Sequence, residues 1–169
     1  KPGGDLDRNL IFSEKGKDRH NGAEINVYGQ VTDNVRLLGG TTFLHAKQRN
    51  TGSADTDGKY TIGVPKFQAN LGAEWDVPAL QGLTLESRLT YTGSSYANAQ
   101  NTLKVGDWTR VDVGARYIVM LGNTPVTLRA RIDNLANKKY WESVGGYPGR
   151  GYLVSGAPRT FSFNASFDF

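Results

Sequence analysis

Few residues in this 169-residue sequence could take part in chemistry, and they are scattered. There are two histidines, His20 and His45, with no third ligand at metal spacing. Cysteine is absent, which excludes disulfides, thiolate metal sites and thiol nucleophiles together. Asp55-Thr56-Asp57-Gly58 opens like a calcium loop but lacks the distal bidentate glutamate, so it reads as a hydrophilic loop tip. Gly145-Gly146-Tyr147-Pro148-Gly149-Arg150-Gly151-Tyr152 is glycine-rich without the Lys-Ser/Thr ending of a phosphate loop. It reads as a mobile surface loop. As a contact surface it offers charge from Arg150, stacking and hydrogen bonding from Tyr147 and Tyr152, and an extension through Trp141. No catalytic residue, metal site or cofactor is expected.

Charge and composition narrow the classes further. The formal net charge is +4, but the bases are interspersed with acids along the sequence: Lys15, Lys17, Asp18 and Arg19 mix signs, as do Arg110, Asp112 and Arg116, and Asp133, Lys138 and Lys139. A phosphate-tracking surface needs a one-sided stripe, so nucleic acid is not an expected partner. No run approaches the ~18 apolar residues of a transmembrane helix. Glycine fills 21 positions, well above its usual ~7% share, and with 11% aromatics this favours β-structure with many turns.

The elements that must position these residues announce themselves by alternation. Apolar Ala23, Ile25, Val27 and Val31 alternate with Glu24, Asn26, Tyr28 and Gln30. Phe67, Ala69, Leu71, Ala73, Trp75 and Val77 alternate with polar residues or glycine. The same period runs through 83–92, 110–119, 126–133 and 160–169, where Phe161, Phe163, Ala165, Phe167 and Phe169 close the sequence. A seventh run, 35–46, is blurred by Leu38 and Leu44. No comparable helical pattern occurs, so the chain reads as all-β and antiparallel. The polar faces carry full charges of both signs (Glu86, Arg88, Arg110, Asp112, Arg116, Arg129, Arg131, Asp133), which suits a wet, salt-bridged interior and an apolar exterior. The runs, about 9 to 13 residues, match the ~9–11 that a tilted strand needs to cross a bilayer. Trp75, Tyr91 and Tyr117 lie near the ends of apolar faces, as an interfacial aromatic belt requires. On this reading Leu85 and Val113 face lipid, and substitutions at Thr84 or Asp112 should be much milder than arginine at either.

Links alternate strictly between short (32–34, 78–82, 121–124) and long (47–66, 94–107, 134–158). One rim is thus trimmed and the other elaborated, the arrangement of short periplasmic turns and long outer loops. Seven strands are visible, with 6–12 at most the tail of another. Seven is too few for a sealed barrel, and an open sheet in lipid would leave unsatisfied backbone groups at both edges. With no signal-peptide pattern at the N-terminus, the expectation is the C-terminal portion of a larger barrel. The division is 1–19 as partial strand or outer loop and 20–169 as barrel strands. A self-contained 8-stranded outer-membrane barrel with an adhesive or structural role is the alternative, its eighth strand drawn from 1–19. A soluble β-sandwich and a small lipid-hydrolase barrel using His45 with Ser94 or Ser95 rank below it, the last because no acid partner is evident.

Several segments carry a resemblance: Gly22-Ala23-Glu24, Pro65-Lys66-Phe67, Asp112-Val113-Gly114-Ala115-Arg116-Tyr117, and above all Asp133-Asn134-Leu135-Ala136-Asn137-Lys138-Lys139-Tyr140-Trp141 with Gly156-Ala157-Pro158-Arg159-Thr160-Phe161 and the closing Phe167-Asp168-Phe169. Together these resemble the C-terminal third of TonB-dependent outer-membrane receptors, particularly the ferric-siderophore branch, from about Gly22 onward. The resemblance implies a 22-stranded transmembrane barrel around a plug, importing ferric siderophores with TonB-derived energy and catalysing no bond-making. The plug and the energy-coupling box are not in this sequence, so TonB would engage only through the missing N-terminal part. The implied partners are a ferric siderophore, outer-membrane lipid, and the barrel-assembly machinery reading Ala165, Phe167 and Phe169 by strand pairing. Trp141, Tyr147, Arg150 and Tyr152 become candidate contacts for an anionic iron chelate. Residues 134–140 read as a structural corner at the outer rim, because Asn134 and Asn137 side chains cap local backbone.

Overall fold

The computed structural model describes residues 4–6, 12–14, 16–147 and 150–167; for 4–6, 12–14, 147 and 150 only the backbone is described. Thirteen strands occur among these residues: β1 (Gly4–Leu6), β2 (Phe12–Glu14), β3 (Lys17–Thr32), β4 (Val35–Arg49), β5 (Phe67–Asp76), β6 (Leu83–Thr92), β7 (Ser95–Tyr96), β8 (Lys104–Val105), β9 (Trp108–Leu121), β10 (Thr124–Asp133), β11 (Trp141–Tyr147), β12 (Arg150–Ser155) and β13 (Thr160–Phe167). Seven of them form one antiparallel meander in the order β13-β10-β9-β6-β5-β4-β3. The other six make two-stranded hairpins, β1-β2, β7-β8 and β11-β12, the last two within the long links. These seven long strands are the seven alternating runs, including the blurred 35–46. Strand β3 starts at Lys17, within the segment set apart as 1–19, and pairs with β4 as far as Arg49. Of the stretch expected to be the tail of another strand, residues 7–11 lie outside the described residues.

The register carries each apolar row across the whole sheet. Gly39 of β4 sits opposite Val27 and Leu71, Leu71 opposite Leu89, and Leu89 opposite Val111. Val113 meets Ile132, and Ile132 meets Phe161. Since successive side chains point to opposite faces, one register choice places every apolar set on the same side, and a slip of one residue would invert a whole strand. That side is the exposed one. Phe161 and Phe163 are 70% and 72% exposed, whereas the charged Asp112 on the other face is 2% exposed. A soluble sandwich would reverse this. The blurring residue Leu38 pairs with Tyr28 and Gly72 on the polar side, which explains why β4 alone read weakly.

Aromatic rows bound the apolar face. Near the long links, Phe43, Phe67 and Tyr91 pack side by side, with ring centroids 4.9 and 5.8 Å apart. Near the short turns stand Trp75, opposite Val35 and Leu85, and Tyr117, opposite Leu83 and Leu128. Phe43 and Val35 are eight residues apart on β4, or ~26 Å along the strand and about 20 Å of depth at a ~40° tilt, near the ~25 Å apolar band of such barrels.

The short turns are tight. At the turn between β5 and β6, Gly82 has φ +90°, and a Cβ there would strike the carbonyl of Ile118, whose amide donates to Gly82 at 2.9 Å. Only glycine fits both demands.

Candidate functional site

The polar face is a wall of ion pairs. Arg36 of β4 donates through both terminal nitrogens to Asp76 at 2.6 and 3.0 Å, and through Nε to Glu74 at 3.0 Å, while the Thr84 hydroxyl donates to Asp76 at 2.7 Å. Two strands on, Arg110 Nη2 donates to Asp112 at 3.1 Å and Arg131 Nε to Asp133 at 2.7 Å. Bidentate guanidinium–carboxylate pairing is the strong form of this contact. Between the two clusters lies a shallow concavity lined by Tyr28, Leu38, Glu86, Arg88 and Gly114. Of the wall's buried side-chain nitrogens, Arg110 Nε and Arg116 Nε meet no acceptor among the described residues. Arg36 escaped the sequence reading because its strand was the blurred one.

Asp112 does more than line the wall. Its second oxygen accepts the backbone amide of Asn134 at 2.8 Å. Asn134 is 1% exposed, with φ 54°; its side-chain amide donates to the carbonyls of Lys138 and Ala157, and its oxygen accepts from Lys138 N. Asn137, at φ 50°, accepts from Arg159 N at 3.0 Å. The corner 134–140 is therefore built as expected, but its anchor is the buried Asp112, so this position is not the tolerant wet one its strand parity suggests. Thr84, also buried, is likewise engaged. Tyr140 completes the corner by packing on Trp108 at 4.2 Å, accepting from Arg110 at 3.1 Å and lying across Gly156.

At the same end the long links are tied to one another. Asn101, at φ 59°, accepts from Tyr60 N at 2.6 Å and donates to Tyr60 O at 2.9 Å; Gln48 donates to the carbonyls of Tyr60 and Ala99. Gly63, at φ +73°, donates to Tyr96 O at 2.9 Å and leaves no room for a Cβ against Val144 O of the third link. His45 packs edge-on against Tyr60, 5.6 Å between centroids. Among the described residues no hydrogen bond joins His45 to Ser94 or Ser95, so the lipid-hydrolase arrangement is not assembled. Asn101 and Tyr60 went unnoticed in the sequence because nothing about a lone asparagine signals a partner forty-one residues away.

The glycine-rich segment is a β-hairpin with ladder pairing, not an irregular loop. Gly145 pairs with Tyr152, whose ring lies across it, and Tyr147 with Arg150 at the closing end. The Tyr147 and Arg150 side chains lie outside the described residues. Trp141 and Tyr152 are 45% and 57% exposed. Trp141 pairs with Ser155, three positions along β12 from Tyr152, so register sets these two aromatics on opposite faces. At the sheet's edge, Ala165 and Phe167 sit opposite Leu128 and Val126 on the apolar face; Phe169 lies outside the described residues.

An inside-out antiparallel meander with aromatic rows and unequal rims is the wall of an outer-membrane β-barrel. The sequence matches the family described as TonB dependent receptor-like, beta-barrel over residues 2–135, and the chain belongs to that family. Its similarity to the ferrichrome receptor FcuA of Yersinia enterocolitica is 37% identity over 159 residues, covering 94% of this chain and 21% of that protein. To the ferrichrome outer membrane transporter/phage receptor of Escherichia coli K12 it is 32% over 140 residues, 80% of this chain and 18% of that protein. The crystal structure of BauA, the ferric preacinetobactin receptor from Acinetobacter baumannii, superposes with a TM-score of 0.86 at 41% identity, over 100% of this chain and 26% of that one. The chain thus spans about a fifth to a quarter of each of these three relatives. It is a partial barrel of the Gram-negative outer membrane.

Proposed function

We propose that this chain forms the C-terminal wall, residues 20–169 with part of 1–19, of a receptor that binds ferric siderophores at its outer rim and imports them with TonB-derived energy, without catalysing bond formation. The observation that carries this is the combination of a lipid-facing apolar sheet with a charged inner wall in a chain similar to receptors named for ferrichrome and ferric preacinetobactin. The two sheet edges, β3 and β13, would be paired by further strands of a larger barrel, since open edges in hydrocarbon leave backbone groups unsatisfied. TonB would be met through a segment outside this chain. Tyr147, Arg150 and Tyr152 on one hairpin supply a cation and π faces to an anionic chelate, and Trp141 at its base extends the contact surface on the hairpin's other face. Ala165 and Phe167 on the edge strand, together with the terminal Phe169 of the sequence, would be read by the barrel-assembly machinery through strand addition.

Binding of a panel of ferric siderophores to the full-length receptor tests the reading. One chelate should bind, and replacing Arg150 and Tyr152 by alanine should weaken it about tenfold, equivalent to ~1.4 kcal/mol. A receptor that binds none of hydroxamate, catecholate and carboxylate chelates would overturn it.

A further inference from the structure

The three long links are fastened in a definite order. The first is sewn to β4: Gly58 N donates to Gln48 O at 2.9 Å, Gln48 N to Lys59 O at 2.8 Å, and Thr61 N to Ala46 O at 3.0 Å. It therefore extends the wall itself. The second link is clasped to the first by side chains. Asn101 brackets the backbone of Tyr60, accepting from its amide and donating to its carbonyl, and Gln48 reaches from β4 to the carbonyls of both Tyr60 and Ala99. The turn that carries Asn101 is braced within itself. Asn98 accepts from Leu103 N at 2.9 Å and donates to Thr102 at 2.6 Å, while Ala97 N donates to Leu103 O at 2.8 Å. Fixing Asn101 therefore fixes Ala97.

The third link is held differently. Among the described residues, no hydrogen bond, ion pair or ring contact joins β11 or β12 to either of the other links. The hairpin rests on them by shape. Its Val144 carbonyl lies against Gly63 of the first link, where a Cβ has no room, and Gly151 faces Ala97 O of the second, 3.6 Å from where a Cβ would stand. Gly63 also donates to Tyr96 O at 2.9 Å, so the two supports are joined where the hairpin sits. A two-stranded hairpin is marginal in isolation, so its attitude is set by what it leans on.

We propose that the first two links form one platform, clasped by Asn101 and Gln48, that seats the β11–β12 hairpin where Tyr147, Arg150 and Tyr152 meet the cargo. Asn101 and Gln48 are then positioning residues for binding. The cargo contact rests on the hairpin's role toward a ferric chelate; the seating of the hairpin does not. An unseated hairpin presents no complete contact surface, so apparent affinity falls with the seated fraction. That loss has a kinetic signature. Association slows while dissociation keeps its rate, because the bound complex is already seated. Removing a residue that touches the cargo mainly speeds dissociation instead.

The test uses the full-length receptor in detergent and its N101G/Q48A variant. Glycine keeps the left-handed backbone at 101, so the clasp alone is lost. Hydrogen exchange of fragments spanning 141–155 should quicken about tenfold, because four hydrogen bonds of the clasp disappear. Amides of β9 and β10 should keep their protection. Ferric hydroxamate, catecholate and carboxylate chelates are then offered in turn, and the one that binds should associate about tenfold more slowly and leave at the wild-type rate. Unchanged exchange in the hairpin overturns the platform. Faster exchange with unchanged association, or with faster dissociation, overturns the positioning role. A wild type that binds none of the chelates overturns the siderophore reading instead, and exchange alone then decides the seating. If β9 and β10 also lose protection, Asn101→Gly alone repeats the test, with a rise of about threefold expected and no rise refuting it.

Discussion

Asp112 and Val113 are neighbours on β9 and opposites in environment. Val113 faces outward in a row with Ser87 and Ile132, while Asp112 turns inward, is almost wholly buried, and is held by Arg110 and Asn134. In a soluble protein the buried face supplies the apolar energy. Here that energy comes from the bilayer outside, and the inner face is held by directed polar contacts. The two faces should therefore fail differently, one through transfer of charge into hydrocarbon and the other through loss of hydrogen bonds.

The largest loss should follow Asp112→Ala, about 3–5 kcal/mol by equilibrium unfolding of the full-length receptor in lipid, because Arg110 loses its partner and the Asn134 amide its acceptor. A cost under ~1 kcal/mol would mean that water replaces Asp112 and the inner face is uniformly tolerant. On the outer face, Leu85→Arg and Val113→Arg should each cost about 2–4 kcal/mol if they sit near the bilayer midplane. If Glu86→Arg on the inner face costs as much, the distinction between faces is lost. Asn134→Ala should cost about 2 kcal/mol, since three side-chain hydrogen bonds vanish together at ~1 kcal/mol or less each net. Asn134→Gly separates the causes: it keeps the left-handed backbone but not the bonds, so near-complete recovery would point to φ alone. The smallest effect belongs to Glu86→Gln, half-buried on the wet wall without a hydrogen-bonded partner among the described residues, expected within ~0.5 kcal/mol.

How legible this was in the sequence depended on the range of the interaction. The parity of 67–77 or 160–169 is local, so strand, face and strand count could be read directly, and even the blurred 35–46 run fell into place once its neighbours fixed the register. The corner was readable too, because asparagine at left-handed positions is a local preference. Its anchoring by Asp112, twenty-two residues away, was not. Nor was the tie between Tyr60 and Asn101, or the hairpin in the glycine-rich 145–152, where glycine suggested irregularity and cross-strand pairing imposed order. Lys17 and Arg19 teach the same lesson. Counted along the chain they are diluted by Asp18, and counted across β3 and β4 they double with Lys47 and Arg49.

By itself the sequence determined the all-β meander, the period-two split of oil from charge, and the unequal rims, because each of these is written in side chains a few positions apart. The tertiary structure decided which polar residues are buried, which loops are bound to one another and where cations gather, because those follow from register between strands remote in sequence, and register appears only when the whole sheet is paired.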